Sequence, residues 1–178
     1  MNLVFFDLET QSLFDEVGGR GNVEQLRLAC AVTWSTQRQA FAVYWESDVL
    51  ALIQELKSAD RVIGFNIRNF DYRVLQPYVP SENLQRLPTL DMLEEIRRQL
   101  GFRLGLDALA SATLNRGKSA DGKMSVQWFR QGELEKVAAY CQQDVEVTRD
   151  LYEFGRQHGF LYYYSRMGSR LKVPVTWK

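Results

Sequence analysis

Short apolar runs alternate along this chain with segments whose apolar residues recur at helical spacing. LVFFDL (3–8) is apolar at consecutive positions, which predicts a central strand covered on both faces. QSLFDEVGGRGNVEQ (11–25), with three glycines and mixed polarity, reads as a loop. LRLACAVTW (26–34) and QAFAVYWE (39–46) flank the turn residues STQR and predict a hairpin. The spacing in VLALIQELKSA (49–59) predicts a helix with Ser47 or Asp48 as its cap. RVIGFN (61–66) is another buried strand, and FDYRVLQPY (70–78) a short helix capped by Asn69 and stopped by Pro77 and Pro80. TLDMLEEIRRQL (89–100) reads as one helix ended by Gly101, and LGLDALASATLN (104–115) as the next. NRGKSADGKMS (115–125) reads as an exposed loop before a long helix over residues 132–157. The alternating tail 160–178 predicts a second hairpin turned at Gly168 and Ser169.

This order of a strand, a hairpin, alternating helices and strands, then helices predicts an α/β fold: a mixed β-sheet flanked by α-helices. The expected organisation is a single domain over 1–178, with a core in 1–156 and the hairpin in 160–178. A length of 178 residues suits one such core. Lys+Arg and Asp+Glu are both 22, so no basic coat is present. That argues against tight non-specific duplex binding but leaves room for a groove holding a few nucleotides. Cys30 and Cys141 lie outside any metal-type spacing and read as reduced, buried thiols. The start of the chain does not resemble a signal peptide, and no apolar run is long enough to cross a bilayer. The expectation is a cytoplasmic protein without membrane association.

Chemistry enters through acids placed where the apolar pattern calls for burial. Asp7 and Glu9 are at i and i+2 of a strand, so they share the face that carries Leu3 and Phe5. Two carboxylates there meet one cation from one side, or mark an exposed strand end. Asp71 closes the pattern Asn66-x-x-x-Phe70-Asp71, where a buried strand gives way to a helix. In the long helix, Val137, Cys141, Asp144, Thr148 and Leu151 follow steps of four and three, so Asp144 falls on the core-facing stripe. A charge there is costly unless it is paired or bound to metal. Tyr140 stands one turn earlier on that side. The tail mixes Phe160, Tyr162, Tyr163 and Tyr164 with Arg166, Arg170 and Lys172, as single-strand stacking platforms do, but its alternation fits an ordinary packed hairpin as well.

In this order and spacing, D-x-E, N-x-x-x-F-D and Y-x-x-x-D resemble the three signature motifs of the DEDD 3′-to-5′ exonuclease superfamily, over residues 3 to about 154. The fold that this implies is ribonuclease H-like. Ala139 precedes Tyr140 where the histidine subclass has its histidine, and the single His158 lies well beyond, so the resemblance is to the tyrosine type, DEDDy. VIGFNIRNFDYRVL is similar to the second motif of polymerase-type proofreading domains, and the whole resembles ribonuclease H-like exonucleases found alone or beside helicase-like regions.

The resemblance implies two Mg²⁺ or Mn²⁺ ions. Asp7 bridges both, Glu9 and Asp144 complete the first site, and Asp71 serves the second. It also implies that Tyr140 orients the attacking water; a phenol's ordinary pKa near 10 makes it a poor general base. The implied substrate is the 3′ end of single-stranded DNA, cut to nucleoside 5′-monophosphates, with Thr10, Asn66, Phe70 and Lys118 as expected substrate contacts. A helicase or polymerase is the expected kind of protein partner. An exoribonuclease, a structure-specific endonuclease and a catalytically silent binding module keep the same pattern and remain open.

Overall fold

The computed structural model describes residues 1–117 and 122–177. Its main sheet has five strands in the order β3-β2-β1-β4-β5: β1 Leu3–Thr10, β2 Leu28–Ser35, β3 Ala40–Trp45, β4 Arg61–Gly64 and β5 Thr89–Asp91. β1, β2 and β3 are antiparallel in turn, while β4 and β5 run parallel to β1. The helices are α1 Val49–Ser58, α2 Asp71–Leu75, α3 Met92–Leu100, α4 Leu106–Leu114, α5 Gly122–Arg130 and α6 Leu134–His158. The tail forms a separate antiparallel pair, β6 Phe160–Tyr164 with β7 Arg170–Pro174.

β1 is apolar at consecutive positions because both of its faces are covered. Leu3 and Phe5 join Ile96, Val137, Leu151 and Tyr152 in one core, under α3, α4, α6 and the tail hairpin. Val4, Phe6 and Leu8 join Leu52, Ile53, Leu56 and Tyr72 in the other, under α1 and α2. The result is three layers, each apolar side chain contributing about 1.5–3 kcal/mol on burial. Phe5 sets its ring edge on Tyr152 at 5.3 Å, and Tyr152 stacks on Trp177 with planes 7° apart. Gly155 makes room for that indole, since a Cβ there would lie 2.6 Å from it.

Several elements depart from the pattern reading. The segment 11–25 is not a plain loop: it holds 3₁₀ turns at Phe14–Val17 and Arg20–Gln25. Thr89–Asp91 is a strand, because pairing with β4 outweighs local helical spacing, and the helix begins only at Met92. Asp91 caps it, accepting from the amides of Leu93 and Glu94. The cap position of α2 is Phe70 rather than Asn69, whose amide instead donates to Glu94. Asp48 caps no amide of α1; its carboxylate accepts from the Trp45 amide across a 3₁₀ turn. Part of the expected loop 115–125 is helical, since α5 begins at Gly122 and buries Ser125 and Val126.

Candidate active site

The site arises from a mismatch in strand length. β4 pairs with β1 only at Leu3–Phe5, so Asp7, Glu9 and Thr10 run on past the end of β4. Gly64 lets the two strands approach there: a Cβ would lie 2.8 Å from the Phe6 carbonyl oxygen and 2.3 Å from Ile67. Beyond it the chain turns through Asn66, whose φ of 69° is left-handed, into α2. Asp91 holds this turn by accepting from the amides of Asn66 at 2.9 Å and Arg68 at 3.0 Å. Asp71 then enters at the start of α2, fully buried, and its Oδ1 accepts from the Leu8 amide at 3.1 Å. On the other side of β1, α6 brings in Cys141 and Asp144 on the predicted stripe, with Val137, Thr148 and Leu151 buried along it.

The acids feel one another. Burial, then the charges of Asp71, Asp144 and Glu9, push the Asp7 carboxyl well above the usual carboxylate range. Glu9 is pushed up to about 8 by burial, with Asp144 and Asp71 adding to the rise. The buried Ser125 hydroxyl faces Glu9 and tempers that rise, though it falls short of full hydrogen-bond geometry with any partner. Asp71 is also raised, by burial first and by Asp91 next, against the pull of backbone amides. Among the described residues, no lysine or arginine forms an ion pair with Asp7, Glu9 or Asp71.

A cluster of hard oxygen donors that raise one another's pKa suits a divalent cation, which reverses the cost of ionising them. Ligand atoms of Asp7, Glu9 and Cys141 lie within 4.8 Å of one another. The thiol is a less apt ligand, because burial pushes its pKa up and it donates to Asp7, 3.3 Å from the backbone oxygen. The carboxylates are therefore the donors that fit a hard divalent cation.

Two clefts meet at Asp7 and Asp144. The larger, about 550 Å³, adds Glu9, Thr10, Phe14, Phe70 and Lys123 to its walls. The smaller, about 380 Å³, adds Phe65, Asn66, Arg103 and Leu104. Thr10 and Phe70 are thus in the larger cleft, and Asn66 is in the smaller, where its side-chain oxygen accepts from Arg103. Tyr140 sets its ring edge against Trp128 of α5 at 6.2 Å and lies outside the lining of both clefts. Lys118 lies outside the described residues. Phe14 and Arg20, in the segment that directly follows Asp7 and Glu9, also stand in the larger cleft's wall, and Arg103 in the smaller's. Phe14 packs on Phe70, Arg20 sits over Phe14, and Arg130 ties α5 to Glu16 at 2.6 Å. These contacts turn the glycine-rich segment into a wall, and no local spacing signalled them.

The sequence profile of the RNase H superfamily matches residues 4–154, and the chain belongs to that superfamily. Its fold is ribonuclease H-like. It is similar to the family B DNA polymerase from the hyperthermophilic archaeon Pyrobaculum calidifontis, with TM-score 0.67 and 13% identity over 87% of this chain and 24% of that one. The chain thus spans about a quarter of that polymerase, and the likeness is one of fold. No curated protein matches by sequence.

Proposed function

We propose that the chain is a metal-dependent 3′-to-5′ exonuclease that trims single-stranded nucleic acid, DNA foremost, to nucleoside 5′-monophosphates. The observation that carries this reading is the convergence on Asp7 of acids from β1, α2 and α6, with Asp7 and Asp144 open to the two clefts and Asp71 buried behind them. Membership of the RNase H superfamily, whose members are usually nucleases, supports it.

Asp7, Glu9, Asp71 and Asp144 are the residues that would hold two divalent cations. Those ions, when bound, supply Lewis acidity for water activation and charge stabilisation at the phosphate. A strand laid through both clefts places one phosphodiester against Asp7 and Asp144. Phe70, packed on Phe14, offers a flat wall to the terminal base, and Thr10 and Asn66 offer polar contacts on either side of the acids. Tyr140, one turn from Asp144, would have to swing from its packing on Trp128 toward the acids to orient the attacking water. The 3′-to-5′ polarity rests on the resemblance of the three acidic motifs to those of 3′-to-5′ exonucleases.

Digestion of 5′-labelled and 3′-labelled single strands of DNA and RNA with Mn²⁺ or Mg²⁺ tests the reading. The expected result is a shrinking 5′-labelled ladder, a 3′ label released as mononucleotide, and protection by a blocked 3′ terminus. Internal fragments from a strand with a blocked 3′ end would replace this reading with an endonuclease. Faster loss of RNA than of DNA would assign an exoribonuclease.

A further inference from the structure

Away from the acids, the outer face of the tail hairpin carries rings and cations in alternation. Phe160 and Tyr162 are half-buried and Tyr164 is exposed, because alternate residues of β6 face away from the core while Leu161 and Tyr163 face into it. Across the pair stand Lys172 and Arg170, opposite Tyr162 and Tyr164. Arg170 sits over Tyr162, its Cζ 3.7 Å from the ring centroid, and Lys172 over Phe160 at 3.9 Å. The C-terminal turn of α6 extends the face, with Phe154 5.9 Å from Phe160 and the exposed His158 4.3 Å from Phe154. The acids flanking Phe154 on α6 are already taken: Asp150 pairs with Arg116 and Arg149, and Glu153 with Arg156. Among the described residues, Arg166, Arg170 and Lys172 form no ion pair with an acid.

We infer that this face is a docking surface for single-stranded nucleic acid, upstream of the 3′ end engaged at the acids; the inference rests on the function proposed above. Three features favour a nucleic-acid strand over other occupants. Cations without acid partners, in a chain of zero net charge, complement a polyanion. Rings capped by a guanidinium and an ammonium on one face complement unpaired bases, which bind aromatic and cationic platforms without sequence preference. One helix, α4, also links this face to the cleft. α4 starts at Leu106, which with Gly105 lines the smaller cleft, and carries Ala112 and Thr113 in its last turn. There the Ala112 carbonyl accepts from Arg170 at 2.9 Å, and the Thr113 hydroxyl accepts from the Tyr162 amide. That helix spans about 13 Å, a few nucleotides of strand.

The test is fluorescence anisotropy of labelled dT4 and dT12 in EDTA, using the full chain and the variants Lys172→Gln, Tyr162→Leu and the double variant Tyr162→Leu with Lys172→Gln. Thermal unfolding confirms that each is folded, and Lys172→Gln leaves every hydrogen bond of the hairpin intact. The proposal expects the double variant to bind dT12 at least about tenfold more weakly, with dT4 binding and dT4 cleavage in Mn²⁺ unchanged. Lys172→Gln should also lower the salt dependence of dT12 binding by about 0.7 of a log–log slope unit. Folded variants that bind dT12 like the parent would overturn the proposal while leaving the nuclease reading intact. Parent protein that binds dT12 through this face yet cleaves nothing would sustain the surface and remove the nuclease. Self-association of the parent that the variants lose, with no strand bound, would assign the face to a second copy and overturn the proposal.

Discussion

Glu9→Gln is expected to stabilise the metal-free protein, and only at high pH. Glu9 is buried at the end of β1, and burial with the neighbouring acids lifts its pKa from 4.5 to about 8. The folded chain therefore holds that proton more tightly than the unfolded chain. The stability this contributes is complete below pH 4.5 and is lost as pH rises through about 8. At about 1.4 kcal/mol per pH unit, the penalty on the ionised form reaches at most about 5 kcal/mol. Water entry and side-chain relaxation return part of it, so the neutral amide should recover about 2 kcal/mol at pH 9. For a chain of this size that is a rise of about 4–8 °C in Tm. The assay is thermal unfolding in EDTA at pH 5 and pH 9, with and without added Mn²⁺. At pH 5 parent and variant should melt together. At pH 9 the variant should melt higher in EDTA, and Mn²⁺ should stabilise the parent more than the variant. A variant no more stable than the parent at pH 9, or a gap of the same size at pH 5, would refute the electrostatic reasoning.

Other outcomes follow from the same geometry. Asp7→Asn should lower Mn²⁺-dependent cleavage by at least about 10³-fold, and Tyr140→Phe by no more than about 100-fold, both read as kcat on a labelled strand. Asp91→Ala removes the cap of α3 and the acceptor for the Asn66 and Arg68 amides; urea denaturation should show a loss of about 1–2 kcal/mol, and cleavage should fall as well. Gly64→Ala forces a Cβ against the Phe6 carbonyl and Ile67, and should cost about 1–3 kcal/mol by the same measurement.

The sheet was legible where burial is two-sided. LVFFDL and RVIGFN need no tertiary knowledge, because consecutive apolar residues have few other uses. The placement of Asp7, Glu9 and Asp144 was equally legible, since period-two and period-3.6 spacing place side chains on a face. β5 was not legible: three residues carry too little pattern, and pairing with β4 decides their state. The cap of α2 was misread because Asn69 finds Glu94, a partner 25 residues away, instead of its own helix. The cleft walls were hidden for a related reason. Phe14 and Arg20 matter through contacts with Phe70 and with each other, and Arg103 through Asn66, none of which has a local signature. The tail hairpin was visible as alternation, but the stacking of Arg170 and Lys172 on its rings required the strand register.

The central claim, that carboxylates from β1, α2 and α6 jointly hold two cations, is tested most directly by anomalous scattering from a crystal of the protein grown with Mn²⁺. The account predicts two manganese peaks among the carboxylates of Asp7, Glu9, Asp71 and Asp144. Saturating manganese that leaves these four carboxylates without a peak would contradict it.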